Sequence, residues 1–321
     1  MGRSGREAKL RIFFSTDIHG SDVCWRKFLN SASFHKADVL VMGGDMTGKA
    51  MVPIVARDSG WSVTLQDQQH DLTTEAEVRA MEKRISDRGY YPVRLSDDEL
   101  REWAADPALV DRRFRQEIVR GVERWMAMAD ERLAGTATRC IVSPANDDIF
   151  EIDPVIDAAE HVELGEANAI ALDGFTLVST GWCNPTPWHT FRELEEPELR
   201  ARIDELVTAA GDPKRMIFNF HAPPYRSNLD NAPKLDPDMR YVAGGQALIP
   251  VGSTAVRDAI LAYGPPLSLH GHIHEGRGAV KIGATLAVNP GSVYEDGVLQ
   301  AAIVDLDVRK GGIKRYLLIN G

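Results

Sequence analysis

FFSTDIHG, residues 13–20, is an apolar run that ends on Asp17 and His19 and then turns at Gly20. A carboxylate or imidazole at a strand end is costly to bury unless something pairs with it. Four more stretches repeat the arrangement. VLVMGGDMTG (39–48) ends on Asp45, CIVSPANDD (140–148) on Asn146, MIFNFHAPP (216–224) on His221, and LSLHGHIHE (267–275) on His272 and His274. Seven metal-ligand-type residues at five strand ends imply that the tips converge on one site. Two Asp, one Asn and four His suit two divalent cations of the Mn, Fe or Zn type better than Ca or Mg. The lack of a thiolate among them argues against a structural Cys-type zinc site.

The ordered set resembles the calcineurin-like metallophosphoesterase superfamily, whose motifs run D-x-H, G-D, G-N-H-[DE], H and G-H-x-H. With the VNPGS stretch at 288–292, the resemblance covers roughly residues 11–306. It implies that Asp17, His19 and His274 hold one metal and Asn146, His221 and His272 the other. Asp45 would bridge the two, about 3.5–4 Å apart, with a water between them that becomes hydroxide near neutral pH. The implied activity is hydrolysis of small phosphodiesters, cyclic nucleotides included, or of phosphomonoesters, by attack of that metal-bridging hydroxide. A non-catalytic metal-binding scaffold of the same fold, or a nuclease, is the alternative.

Two departures from the family pattern bear on chemistry. The third motif reads PANDD, so Ala145 stands for a glycine and Asp147 for the histidine that helps neutralise the phosphate or protonate the leaving group. Alanine there is strained only if its φ is positive. Beside two dications an Asp147 carboxyl is held ionised and is a poor acid. His270, just before the G-H-x-H run, is then a candidate proton donor. Asn146 is expected to ligate through its carbonyl oxygen, leaving its NH₂ free for the phosphate, and Asp148 to anchor the loop. The second departure follows Asp45, where Met46, Thr47, Gly48 and Lys49 replace the arginine of the protein phosphatases, which argues against that activity. Thr47, Tyr225 and Arg226 are candidate substrate-binding residues, and the long polar loop after His221 is a place for recognition.

A chain of 321 residues, 44% hydrophobic, can bury a large core. Its net charge of −10 gives no sequence-wide footprint for nucleic acid. The expected partner is a small-molecule phosphate ester; no membrane-spanning run is present, and oligomeric state stays open. A polar N-terminus without an apolar export segment and three scattered cysteines, read as small buried apolar residues, point to the cytoplasm.

The fold class expected is α/β (α+β): a mixed β-sheet sandwich flanked by helices, of the metallophosphoesterase type. Strands are expected near 10–15, 38–43, 138–143, 175–180, 215–220, 266–270, 279–288, 299–306 and 314–319, with a helix over about 23–32. Residues 1–321 read as one domain interrupted by a mainly helical insertion at about 51–135. There a hairpin turns at Asp58-Ser59-Gly60, and a helix opens at Thr73–Glu75. A capping box starts at Ser96, and a long helix over about 107–134 carries an apolar stripe from Phe114 to Leu133.

Overall fold

Alternation along one strand sets the layering. In Lys9–Ser15, Leu10, Ile12 and Phe14 point to one face and Phe13 to the other. In the computed structural model, which describes residues 9–321, this strand lies third in a six-stranded mixed sheet. That sheet runs Ile313–Asn320, Gln300–Asp307, Lys9–Ser15, Val39–Met42, Arg139–Val142, Val162–Leu164. A second six-stranded sheet runs Gly278–Ile282, Thr285–Asn289, Leu267–Leu269, Met216–Phe220, Phe175–Thr180, Ala169–Leu172. Leu10, Ile12 and Phe14 share one buried apolar cluster with Leu177, Ile217 and Leu267 of the second sheet. The mixed sandwich is thus present. The segment before Lys9, on which the reading of a polar N-terminus rests, lies outside the described residues.

Helices cover both outer faces. On the first sheet, Phe13, Leu40 and Met42 pack with Trp25 and Phe28 of helix Asp22–Phe34 and with Ile118, Val122 and Trp125 of helix Pro107–Leu133. The rings of Trp25 and Trp125 stack at 5.1 Å. On the second, Phe218 and Phe220 pack with Leu199, Ile203 and Val207 of helix Glu196–Ala210, and with Val256 and Ile260 of helix Thr254–Tyr263. Among the described residues no helix is long and apolar enough to cross a membrane.

The central strands of both sheets are parallel. Ile12 pairs with Val39, Val39 with Arg139, and Ile217 with Leu267. Their carboxyl ends therefore lie along one edge, where ligand sites form in open α/β sheets. The 279–288 run is two strands, split by Gly283 at φ +59°. Residues 51–133 hold a four-stranded sheet of their own, in the order Gln68–Leu72, Gly60–Leu65, Met51–Arg57, Tyr91–Leu95. It packs Ile54 and Val63 on Val78 and Ile85 of helix Glu75–Asp87. Capping boxes at Thr74–Glu77 and Ser96–Glu99 start the short helices.

Asp305, buried in Gln300–Asp307, ties the sheet edge together. It accepts from Arg11 Nε at 2.7 Å and Nη2 at 3.0 Å, and from Arg315 Nε at 2.6 Å. Burial opposes its charge, but the two guanidinium groups outweigh burial and hold the carboxyl at about 2. A depressed carboxyl contributes stability that is full above its unfolded value and fades as pH falls through the folded one. Asp305→Asn should therefore lose about 1–2 kcal/mol at neutral pH, discounted because Arg315 is half exposed. The deficit should shrink to nothing between about pH 4 and 2. Urea midpoints across that range test this, and a deficit independent of pH would show that the charge is not the cause.

Candidate metal centre

All seven candidate ligands lie just past the carboxyl ends of parallel strands. Asp17 follows Ser15, Asp45 follows Met42, Asn146 follows Val142, His221 follows Phe220 and His272 follows Leu269. Four of them hold left-handed backbone: Asp17 at φ +53°, His19 at +36°, Asp45 at +47° and His272 at +67°. Each such residue costs about 1–3 kcal/mol and persists only where its surroundings force it. Close contact between loops supplies that force. A Cβ on Gly44 would lie 2.2 Å from that of Ala145, and one on Gly271 would lie 2.3 Å from Asp17 Oδ2. Ala145 itself is not among the positive-φ residues, so alanine fits there without strain.

The side chains meet. Asp17, His19 and His274 bring donor atoms within 4.8 Å of one another, as do Asp17, Asp45 and His221. His19 Nε2 faces His274 Nε2 at 3.0 Å, and two imidazole nitrogens that close need a proton or a cation between them. His221 turns Nδ1 to the Gly43 carbonyl at 2.9 Å, which fixes its tautomer and aims Nε2 at the cluster. That Nε2 comes 3.2 Å from Asp45 Oδ2 but is not aligned as a hydrogen bond, and His19 Nδ1 also lacks a partner. The backbone N–H of His272 donates to both oxygens of Asp17, at 3.0 and 3.1 Å. Asn146 Nδ2 donates to Thr190 Oγ1 at 3.0 Å, so its amide is not wholly free for a substrate. Buried, orphaned nitrogens and convergent carboxylates make a donor set that fits divalent cations.

The charges are strongly coupled. Burial opposes an imidazolium at His221, but Asp45 and Asp17 outweigh it and raise the ring to about 10. His221 in turn holds Asp45, and with His274 also Asp17, well below the usual carboxylate range against the effect of burial. Burial, then the Lys49 charge, brings His19 down to about 3; burial, then His221, brings His272 to about 4. In the protein alone, the His221 proton stands where a cation's charge would sit. Metal uptake should therefore release protons.

The loops around the cluster hold findings of their own. Asp148 is fully buried and accepts from the backbone N–H of Met46, Thr47 and Ala145 and from Thr47 Oγ1, at 2.8 to 3.2 Å. Thr47 thus fastens two loops together, while also lining the site. Asp147 is fixed by Lys49, whose Nζ lies 2.9 Å from Oδ2. Burial and the Asp45 charge push its carboxyl up, and Lys49 pulls it back. Lys49 is the first cation after the G-D motif and leads straight into the insertion. Cys183 is more than a small apolar residue: its Sγ lies 3.3 Å from Asn146 Oδ1 and clusters with His221 and His272.

Three expectations need correction. His270 is no proton donor. Its Nδ1 donates to the carbonyls of Phe220 and Ala222, its Nε2 accepts from Ser268 Oγ, and burial lowers it to about 4. Tyr225 and Arg226 do not reach the site either. Arg226 is exposed and stacks on the Tyr225 ring at 5.3 Å, and neither residue lines the cavity over the cluster.

A cavity of about 690 Å³ opens over Asp45, Asn146, His272 and His274. Lys49, Thr47 and Asp147 flank it, and Phe114 and Ile118 of the helix Pro107–Leu133 form part of its roof. The far wall comes from Trp188 and Phe191 and from Tyr241 and Ile249, which lie around the ribbon Asn231–Pro233/Leu248–Pro250.

No family model matches the chain. It is 31% identical over 150 residues to the uncharacterized protein MJ1162 of Methanocaldococcus jannaschii, across 46% of this chain and 61% of that one. The chain therefore spans less than two thirds of that relative. It superposes on TT1561 of Thermus thermophilus with a TM-score of 0.51 at 15% identity, over 97% of this chain and 98% of that one. A structure described as a novel phosphatase from Mycoplasma pneumoniae aligns at 10% identity over 98% and 94%, at a TM-score of 0.47 too low to decide anything. Such distant likeness bears on architecture alone. Two six-stranded sheets lie between helices with the five motifs at one edge in order, which is the mixed sandwich that the resemblance to the calcineurin-like metallophosphoesterases implies.

Proposed function

We propose that the protein is a metal-dependent phosphoesterase that hydrolyses small phosphate esters, phosphodiesters above all. The observation that carries this is the convergence of Asp17, His19, Asp45, Asn146, His221, His272 and His274 under one open cavity. In this reading Asp17, His19 and His274 hold one divalent cation and Asn146, His221 and His272 a second, with Asp45 shared. Mn, Fe or Zn at these positions would activate water and polarise the ester. His221 is oriented for the task by Gly43, and Asn146 by Thr190. Residence in the cytoplasm belongs to the same reading, supported by three free, buried cysteines.

Lys49 supplies the positive charge of two missing groups. Neither the phosphatase arginine nor the loop histidine is present, and Lys49, a cation at the cavity's edge beside Asp147, can offset charge on a phosphoryl oxygen. It does not replace an acid, because its partner Asp147 and the other nearby carboxylates hold its proton against the effect of burial. Rates should thus fall steeply as the leaving group becomes more basic, since a positioned proton donor commonly contributes about 10²–10⁴-fold. Lys49→Ala should lower kcat/KM by roughly 10²-fold. His270→Ala should leave the leaving-group slope unchanged.

The test is hydrolysis of a series of phenyl phosphodiesters by metal-loaded protein, with a chelator control. Activity that needs the metal and declines steeply along the series is expected. No turnover with any of Mn, Fe or Zn sinks the reading, and a flat series removes the account of Asp147 and Lys49.

A further inference from the structure

Away from the metal ligands, the cavity over the cluster is lined largely by apolar side chains. Only Lys49 among its lining residues carries a lasting positive charge, so one phosphate can be matched but not several. Away from the cluster its walls are Phe114, Ile118, Trp188, Phe191, Tyr241 and Ile249. The polar groups at that end are mostly occupied already. Thr186 Oγ1 donates to Glu193 at 2.6 Å, and Asn184 Nδ2 donates to the Val251 carbonyl at 3.2 Å. Asn184 Oδ1 is left as a buried acceptor without a partner, a sparse set for reading a base edge and ribose hydroxyls together.

The rim points the same way. Trp188 and Tyr241 are each 66% exposed, and Phe191 and Ile249 lie half open beside them. Large apolar side chains gathered in the open around a groove mark a binding site. This groove is continuous with Asp45, Asn146, His272 and His274, so whatever fills it is joined to the group that reacts there.

We propose that the substrate is an amphiphilic phosphodiester, with one alcohol bearing an alkyl or acyl chain that lies along Trp188, Tyr241 and Ile249 while Lys49 faces the single phosphate. The proposal rests on the phosphoesterase reading and narrows it. Hydrolysis is the same step throughout: water adds to phosphorus, the P–O bond to one alcohol breaks, and that alcohol leaves with a proton. The chain contributes binding alone.

The experiment uses p-nitrophenyl phosphodiesters whose second alcohol is methyl, butyl or octyl, held below their micelle concentrations, with 3′,5′-cyclic AMP as competitor. With metal-loaded protein, kcat/KM should rise with chain length by up to about fourfold per buried methylene. Trp188→Ser and Ile249→Asp, both at the exposed rim, should flatten the rise, lowering kcat/KM for the octyl ester far more than for the methyl ester. Equal rates for methyl and octyl esters, or faster turnover of the cyclic nucleotide, overturn the proposal. If no ester reacts, the phosphoesterase reading is what has failed, and binding decides this one. Octyl phosphonate should then quench a fluorescence component that Trp188→Phe removes, methyl phosphonate should not, and absence of any such difference overturns it.

Discussion

Asp45→Ala is expected to strip transition metal from both halves of the cluster and to reduce phosphodiesterase activity to background. Asp45 stands in two of the donor groups, one with Asp17 and His221 and one with His19 and Asp147. Its Oδ1 also accepts from the Asp147 backbone N–H at 3.0 Å, so the same carboxylate holds the neighbouring loop. Loss of a residue that merely supports a ligand commonly costs about 10–100-fold in metal affinity or activity. Loss of the carboxylate shared by both sites should exceed that. His274→Ala should deplete mainly one metal and His221→Ala mainly the other. Elemental analysis after gel filtration measures this, with circular dichroism to show that the variants fold. About two metals per chain in the parent, unchanged in Asp45→Ala, would end the dinuclear reading.

Much of the architecture is legible in sequence because its strands are short, mainly apolar and bounded by turn residues. VLVM at 39–42 and MIFNF at 216–220 are buried at every position, which is the pattern of a parallel strand covered on both faces. In the four-stranded sheet of residues 51–95 the hairpin Met51–Arg57/Gly60–Leu65 is legible, while the other two strands are hidden for equally physical reasons. QQHDL at 68–72 is polar and YPVRL at 91–95 contains a proline, so neither looks like a strand alone. Helix Glu196–Ala210 escapes notice although Leu199, Ile203 and Val207 recur at four-residue steps, because charged residues fill the positions between.

Within the site, the residues that meet through chain order and strand ends are readable, and those that meet only in space are not. His270 resembles a ligand in LHGHIH, yet its ring turns inward to the carbonyls of Phe220 and Ala222. Tyr241 and Trp188 come from different loops and share a cavity only in the folded chain. Tyr225, next to the proline pair, is the more conspicuous aromatic in sequence but lies outside that cavity.

Asp148→Ala should be the most destabilising single change near the site. The carboxylate accepts from the N–H groups of Met46, Thr47 and Ala145, which are buried and have no other acceptor among the described residues. A buried donor left unsatisfied costs about 1–3 kcal/mol, so three predict roughly 3–9 kcal/mol. That is a large part of the roughly 5–15 kcal/mol typical of a folded protein. Burial, then the Asp45 charge, raises the Asp148 carboxyl to about 6, and the backbone N–H groups pull it back. Those bonds are therefore what reconcile the carboxylate with its burial. Asp148→Asn should fall between the two, because one amide oxygen can still serve Thr47 while its NH₂ is set against Ala145 N–H. The metals should suffer as well, since the loops so joined carry Asp45 and Asn146. Urea midpoints and metal titrations of the same preparations test both parts. The expected order in each is parent, then Asp148→Asn, then Asp148→Ala, and an Asp148→Ala midpoint equal to the parent's would show that this carboxylate does not hold the two loops together.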